Sequence, residues 1–445
     1  MRSRARPRAD QTPLRPAPQR ERHEGLWRQR DFRLLWIGQG ASKLGSAVTT
    51  VSLPLIAVLT LHTTAFGVGV LEAAVWLPWL IVGLPAGALV DRWAPRPVMV
   101  VCDLASLLLL GSVPAAAWFG MLTFPQLVVV ALLAGAAGVF FSTAYQVLLP
   151  SLLAPADLPE GNARMQGTEA AAQVAGPGLG GLLAQLAGPV LGLLMDTLSF
   201  AVSALCLRRI TTTDRRPPRD PAAGTRSLRG EISEGLGFLV RDPYLRSICG
   251  FSALTNLTGS VLQAVLVVFL LHDVGLSPGV VGGLLGTIGL GGVLGATVAT
   301  RITRRFGTAR GLLLCNLCTA PAALLVPLTG HGPRLVMLVA GGLLTTAGVI
   351  AFNVIFGSFR AAYVPSHLLG RVVAGGRFVN YSTIPVGALL GGSLGTLLGL
   401  RPTVWIAAAG TALSVAALLA GPVRHGRDLP TAPAVRTEPP EENAR

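Results

Sequence analysis

The sequence predicts an all-α integral membrane protein in which twelve transmembrane helices form two six-helix repeats. Only 13% of its 445 residues are charged, against roughly 25% in ordinary soluble domains, and its mean hydropathy is +0.60. Its apolar segments approach or exceed the roughly 20 residues that a helix needs to cross a bilayer. Short motifs also recur in the same order in the two halves of the chain. Together these observations exclude an ordinary soluble domain.

Each apolar segment is long and does not alternate between polar and apolar residues. Because backbone groups in lipid must be satisfied internally, only helices or closed barrels can span a membrane, and these runs indicate helices. The predicted spans lie near residues 33–60, 66–90, 97–119, 125–149, 166–186 and 190–207 in the first half, and near 244–271, 278–300, 310–329, 334–358, 376–398 and 402–420 in the second.

Arginine clusters occupy alternate connections between the predicted spans. They precede the first span and follow the second, sixth, eighth and tenth, whereas the opposite connections contain only Arg334 and Arg401. The positive-inside rule therefore predicts that both termini are cytoplasmic in a multi-pass protein of the bacterial cytoplasmic membrane. This topology also accounts for the net charge of +15 better than nucleic-acid binding does.

Composition divides the chain into five regions. Residues 1–32 predict a disordered basic cytoplasmic tail, and residues 421–445 predict a second disordered cytoplasmic tail. Between them we expect one six-helix bundle over 33–207 and another over 244–420. The connection 208–243 predicts a cytoplasmic linker whose later part, LRGEISEGLGFLVRD, forms a short amphipathic helix on the membrane surface.

An internal repeat relates the two halves. Gly87-Ala88 after the second span matches Gly295-Ala296 after the eighth, and Arg96 matches Arg304 at the same offset. The fifth span carries GPGLGGLL where the eleventh carries PVGALLGGSL. Duplicated halves are typical of membrane transporters, whose substrate site lies between the repeats near the bilayer midplane.

Four acidic residues and the chain's one lysine lie inside predicted spans, where charge is costly and points to function: Glu72, Asp103, Glu169, Asp196 and Lys43. Proton coupling requires a carboxyl group whose affinity for protons changes between states, and a nearby cation can change it. Lys43 is the candidate cation, for either Glu169 or Asp103. Glu169 and Glu72 are the favoured proton carriers, Glu169 first. Asp103 and Asp196 fit structural interhelix pairs equally well.

Uncharged polar residues predict the wall of a central cavity. Gln39 shares a helix face with Lys43, and Gln166 and Gln173 flank Glu169 at helical spacing. Asn256, Gln263, Asn353 and Asn380 add polar groups in the second half. The alternative is that these side chains hold neighbouring helices together. A wall with few polar and many apolar groups suits an amphipathic or lipophilic substrate.

Two motifs resemble the major facilitator superfamily. GALVDRWAPRP resembles that family's loop motif at Gly87, Asp91, Arg92 and Arg96, and GPGLGG resembles the motif of its exporter-antiporter members at Gly176, Pro177, Gly180 and Gly181. RDFRLLWIGQ, MDTLSFAVSAL, GFLVRDPYLR and VPSHLLGRV are similar to an efflux branch that contains enterobactin exporters and macrolide-efflux-type proteins.

The resemblance implies a secondary active exporter that exchanges a small molecule for protons by alternating access. It also implies that Asp91 is a conformational latch, accepting hydrogen bonds from the N-terminus of a facing helix in one conformation. The alternative for this loop is a purely topological anchor, but arginines alone would serve that purpose. The GPGLGG glycines either pack helices tightly or shape a bend that limits leakage.

Three other functions compete with proton-coupled export. One is an uncoupled facilitator or an importer with the same fold, and another is a receptor or scaffold that does not transport. A membrane-embedded enzyme is disfavoured because the sequence contains no catalytic constellation and no phosphate-binding G-x-x-x-x-G-K-[ST] run. We expect no cofactor, no metal site and no nucleic-acid partner, and we expect the protein to act as a monomer.

Overall fold

The computed structural model describes residues 26–90, 93–211 and 236–431, which form helices joined by short turns, with no strand among them. The first half contains α1 (Arg30–Leu55), α2 (Ala65–Ile81), α3 (Gly83–Val90), α4 (Pro95–Trp118), α5 (Phe124–Leu152), α6 (Leu158–Ala187) and α7 (Val190–Arg208). The second half contains α8 (Pro243–Val268), α9 (Pro278–Phe306), α10 (Thr308–Thr319), α11 (Leu335–Tyr363), α12 (Ser366–Leu397) and α13 (Leu400–Ala420).

Three of these helices continue in a different helical form. Both α1 and α8 end in π-helical segments, Ile56–Thr60 and Phe269–Asp273, at equivalent places in the two halves. Helix α10 continues as a 3-10 helix over Ala320–Leu328, which completes that span. Helices α2 and α3 together cover the predicted second span. The helices therefore account for twelve membrane-crossing segments.

Within the described residues, nine helices, counted with their continuations, are long and apolar enough to cross a membrane by themselves. The other crossings are α2 with α3, α6 and α12. Helices α6 and α12 start two to three turns earlier than the predicted starts at 166 and 376. The first turns of α6 and α12 are polar, so the hydropathy criterion placed the starts of these helices too late. These more polar helices are also the ones that join the two halves.

Parts of the predicted tails and linker are folded. Leu26 and Leu429 are buried, although composition assigns both to disordered tails. The Asp428 carboxylate accepts a hydrogen bond from the Thr308 amide (2.9 Å), which anchors residues 421–431 to the start of α10. The rest of both tails, and most of the predicted linker helix, lie outside the described residues.

The two halves meet through glycines at one end of the bundle. Helix α6 packs on α9, where a Cβ atom added at Gly282 would lie 2.7 Å from the Cα atom of Gly181. Helix α2 packs on α12, where a Cβ atom added at Gly392 would lie 2.9 Å from the Cα atom of Phe66. The Phe66 amide also donates a hydrogen bond to the Thr396 hydroxyl (3.2 Å) across this interface. Only residues without side chains allow such close backbone approach.

We call this end of the bundle, near the turns at 61–64, 188–189, 274–277 and 398–399, the closed end. The opposite end, near 93–94, 153–157 and 364–365, is the open end. The principal contacts between the halves are α6 with α9 and α2 with α12, supplemented by contacts of α1 and α2 with α8. The glycine contacts that join α6 to α9 and α2 to α12 approach the closed end, so the halves separate toward the open end.

The same glycine pattern recurs inside each half. Gly176 and Gly180 of α6 pack on α1 at Ala47 and Val48. The equivalent Gly387 and Gly391 of α12 pack on α8, the repeat counterpart of α1, at Leu257 and Val261. The matching contacts indicate that the internal repeat extends from sequence to packing.

Gly282→Val is expected to weaken the closed end, because its methyl groups would collide with the backbone of α6. Gly283→Val is the matched control, since a Cβ atom there meets nothing within 4 Å. Spin labels at Ala187 and His272, exposed residues of the two halves at this end, report the separation by double electron–electron resonance in a cysteine-free background. The distance should lengthen for Gly282→Val alone. Equal distances in both variants would contradict the assigned contact.

Central cavity between the two halves

A central cavity of about 930 Å³ lies between the two halves. Helices α1, α2 and α4–α7 line it from the first half, and α8, α9, α11, α12, α13 and the 3-10 continuation of α10 line it from the second. Its wall is mostly apolar. Among the described residues, every ionisable side chain that lines it comes from the first half, whereas the second half contributes hydroxyl and amide groups. The volume suits a drug-sized molecule.

An ion pair lies on the first-half wall. The Lys43 ammonium of α1 lies 3.1 Å from a carboxylate oxygen of Glu169 on α6. Both side chains are partly exposed, at 45% and 36%. Of the two acids that the sequence offers as partners for Lys43, the structure pairs it with Glu169. Because the pair faces the cavity, ligands and protons can reach it.

Glu72 lies on the α2 wall beside aromatic rings. Its carboxylate accepts a hydrogen bond from the indole N–H of Trp76 (3.2 Å) one turn further along the helix. The Trp76 and Trp79 rings both approach the Tyr381 ring of α12, with centroids 5.7 and 5.0 Å apart. Aromatic contact therefore bridges the two halves at this wall.

Asp103 and Asp196 are both buried but differ in their partners. Asp196 accepts hydrogen bonds from the hydroxyls of Thr49 (2.6 Å) and Ser199 (3.1 Å), which ties α7 to α1. Neither carboxylate oxygen of Asp103, which is 1% exposed, makes a hydrogen bond within 3.5 Å among the described residues, and its one polar interaction is a looser one with the Ser203 hydroxyl. An isolated buried polar group costs free energy. The structure thus favours a structural role for Asp196 and leaves Asp103 as a candidate proton or ligand site.

The cavity wall includes only some of the predicted amide side chains. Gln39, Gln166, Asn256 and Gln263 line it. Gln173, Asn353 and Asn380 are not among its lining residues in this conformation, so their place on the wall stays a prediction. Each continues a lining stripe by one helical turn: Gln173 beyond Glu169 toward the closed end, Asn353 beyond Val349 and Asn380 beyond Ile384 toward the open end. Sequence spacing identified the helix face but not where the cavity stops.

The predicted loop motif lies at the open end. Gly87 belongs to α3, whereas Asp91 and Arg92 lie outside the described residues. The Arg96 guanidinium donates hydrogen bonds to the carbonyls of Leu207 (2.8 Å) and Arg208 (2.7 Å). These carbonyls belong to the last turn of α7, where a cation also complements the helix dipole. Arg96 is therefore a helix cap within the first half.

The GPGLGG motif lies where three helices meet. Gly176 and Gly180 contact α1, while Gly181 and the Pro177 carbonyl abut Gly282 of the second half. The motif therefore supplies tight packing both within and between the halves. A bend that limits leakage stays a prediction.

Sequence reasoning missed the aromatic residues and one buried carboxylate. Glu72, Trp76 and Trp79 follow an i, i+4, i+7 spacing that could have identified one helix face. Their contact with Tyr381 required the tertiary structure. Asp242 is fully buried, caps the N-terminus of α8 at the Leu245 amide (2.9 Å) and accepts a hydrogen bond from the Tyr363 hydroxyl (2.6 Å). An aspartate before proline at a helix start was the available signal.

Related proteins include bacterial efflux pumps. The multidrug efflux pump Tap of Mycolicibacterium fortuitum is 28% identical over 392 residues, covering 85% of this chain and 91% of Tap. Tap of Mycobacterium tuberculosis (strain ATCC 25618 / H37Rv) is 29% identical over 377 residues, covering 81% of this chain and 85% of its own. An uncharacterized MFS-type transporter of Sinorhizobium fredii (strain NBRC 101917 / NGR234), y4rN, is 28% identical over 358 residues, with 79% and 85% covered.

Solved transporter structures share the fold. The crystal structure of the nucleoside transporter NupG superposes with a TM-score of 0.72 at 12% identity, covering 88% of this chain and 98% of NupG. A bacterial homologue of the iron transporter ferroportin, in an inward-facing state, superposes with a TM-score of 0.65 at 18% identity and covers the same shares. These likenesses concern the fold alone.

The family comparison covers nearly the whole chain. The sequence model of the family described as "Transmembrane secretion effector" matches residues 25–444. This match includes both halves and the connection between them. The chain therefore belongs to the transmembrane secretion effector family of the major facilitator superfamily, a family of multi-pass membrane transporters and not of enzymes.

Proposed function

We propose that this transporter exports a small amphipathic or lipophilic molecule, such as a drug, an antibiotic or a siderophore-like compound. The observation that carries the proposal is the mostly apolar cavity of about 930 Å³ between two halves that touch mainly toward one end. A cargo that enters from the open end meets a wall with few polar groups. The relatives named as multidrug efflux pumps support the same class of cargo.

The arginine distribution supports an assignment of the open end to the cytoplasmic side of the membrane. Under the positive-inside rule the open end, with Arg96 and Arg208, faces the cytoplasm of a bacterial cell whose cytoplasmic membrane holds the protein. The cavity is then accessible to cytoplasmic cargo in the conformation described. Because one chain supplies both walls, we propose that a monomer transports.

Alternating access follows from rocking one half against the other. Opening the closed end requires that the α6–α9 and α2–α12 glycine contacts separate, while the open end must close. New contacts at the open end would stabilise that second state. We propose that Asp91 accepts one of them from the N-terminus of a facing helix.

We propose proton antiport in which Glu169 carries the proton. In the conformation described, Lys43 balances the Glu169 carboxylate at 3.1 Å. Protonation of Glu169 from the external side would break this ion pair. The free energies of the two conformations would then change by different amounts. Glu72 is the alternative proton carrier.

The proposed export predicts resistance that depends on the proton gradient. A susceptible bacterial strain that produces the protein should tolerate higher concentrations of several lipophilic antibiotics and should accumulate less of them. A protonophore should restore accumulation to the level of the empty-vector strain. A facilitator or importer would raise accumulation, and a scaffold would leave it unchanged; either outcome would refute export.

Glu169→Gln is expected to abolish proton-dependent export, because glutamine neither binds a proton nor pairs as an anion with Lys43. The measurement is cargo uptake into inside-out vesicles as the pH of the vesicle lumen is varied, because the lumen corresponds to the outside of the cell. Glu160→Gln is the matched control, since Glu160 pairs with Arg164 at the start of α6 and does not line the cavity. If Glu169→Gln retains the wild-type pH dependence, the role passes to Glu72.

Asp91→Asn is expected to abolish export at normal membrane abundance, because the amide loses the charge that a helix N-terminus favours. Asp91→Glu keeps the charge and should retain part of the activity. Immunoblots of the membrane fraction supply the abundance control. Normal export by Asp91→Asn would rule out the latch and leave a topological loop.

A further inference from the structure

Three side chains of α2 form one stripe on the cavity wall. Glu72, Trp76 and Trp79 follow an i, i+4, i+7 spacing, so they point to the same side of the helix. Tyr381 of α12 is not itself a lining residue but packs against both indoles and completes an aromatic cluster, with ring centroids 5.7 Å from Trp76 and 5.0 Å from Trp79. We call Trp76, Trp79 and Tyr381 the aromatic cage. It lies beside a carboxylate and contains groups from both halves.

The packing behind α2 fixes the direction of this stripe. Gly135 of α5 lies against the Val75 carbonyl, and a Cβ atom added there would lie 3.3 Å from the Pro78 ring. Val75 and Pro78 therefore face α5, which turns Trp76 and Trp79 toward the cavity side. Gly69 holds the same helix against α12, which places Tyr381 opposite the two indoles. Close backbone contacts of α2 with α5 and with α12 therefore position the residues of the aromatic cage.

The charges of the cavity favour a cation at this place. Among the described residues that line it, four carboxyl groups face a single ammonium, and that ammonium is paired with Glu169. Glu72 has no ion-pair partner among the described residues, and its one hydrogen bond comes from the indole edge of Trp76. An anion beside aromatic faces, in a wall of low polarity, attracts a weakly hydrated cation.

We propose that the aromatic cage and Glu72 bind the charged group of a lipophilic monocation, while the apolar wall holds the rest of that molecule. This proposal names the substrate class and rests on the proposed export function. Ring faces attract the cation through their quadrupoles, and Glu72 supplies the counter-ion. A strongly hydrated inorganic ion would not recover its hydration energy from such a site.

Binding to the purified full-length protein in lipid nanodiscs tests this site without requiring transport. Isothermal titration calorimetry compares tetraphenylphosphonium with tetraphenylborate, which has nearly the same shape and the opposite charge. The wild-type protein should bind the phosphonium saturably and the borate at least about tenfold more weakly. Equal affinity for the two ions would overturn the proposal, whatever any variant does.

Variants assign the binding to the cage. Glu72→Gln should weaken tetraphenylphosphonium binding about tenfold or more, and Trp76→Leu about fivefold to thirtyfold. Trp76→Phe keeps a ring face and should lose less. The matched controls are Glu160→Gln and Trp405→Leu, because Glu160 and Trp405 lie outside the cavity wall. Unchanged affinity in Glu72→Gln or Trp76→Leu would overturn the site.

The result of the binding experiment can be interpreted independently of the result of the export experiment. Gel filtration and thermal unfolding of each variant identify misfolding, and the comparison of the two wild-type ligands needs no variant. Export without phosphonium binding would refute the cation site and retain the exporter. Phosphonium binding without export would retain the site and refute the exporter.

Discussion

The rest of the structure depends on backbone contact between the two halves at the closed end. Gly181 against Gly282, and Gly69 against Gly392, let helices from different halves approach more closely than any side chain would permit. Within the bilayer, lipid tails are as apolar as leucine, so this contact is stabilised by close packing and not by the hydrophobic effect. Closing one end in this way leaves the cavity between the halves and directs its mouth to the other end.

The cavity is chemically asymmetric although the repeat is structurally symmetric. Every ionisable side chain that lines it belongs to the first half, whereas the second half contributes groups such as Asn256, Thr345 and Thr411. The glycines that join the helices are duplicated, but the charges are not. The proposed rocking therefore involves both halves, whereas the lining groups that are able to bind a proton lie in one.

The four cavity acids have four different environments, and each environment suits a different task. Asp196 is held by two hydroxyls and joins helices. Glu169 is paired with an accessible ammonium, which suits exchange with protons. Glu72 meets an indole N–H beside aromatic rings, which suits recognition of a cation. Asp103 is buried with only a loose contact to the Ser203 hydroxyl, and its free energy in this conformation depends on its protonation.

The sequence by itself determined the membrane class, the twelve crossings, the repeat and the helix face on which polar residues lie, because length, hydropathy and helical periodicity are local properties. It also placed Lys43 near Glu169 as one of two possible partners. Only the tertiary structure decided that pairing, the limits of the cavity at Gln173 and Asn353, the capping role of Arg96 and the meeting of Trp76 with Tyr381. These features depend on where distant helices cross, and one-dimensional spacing does not contain that information.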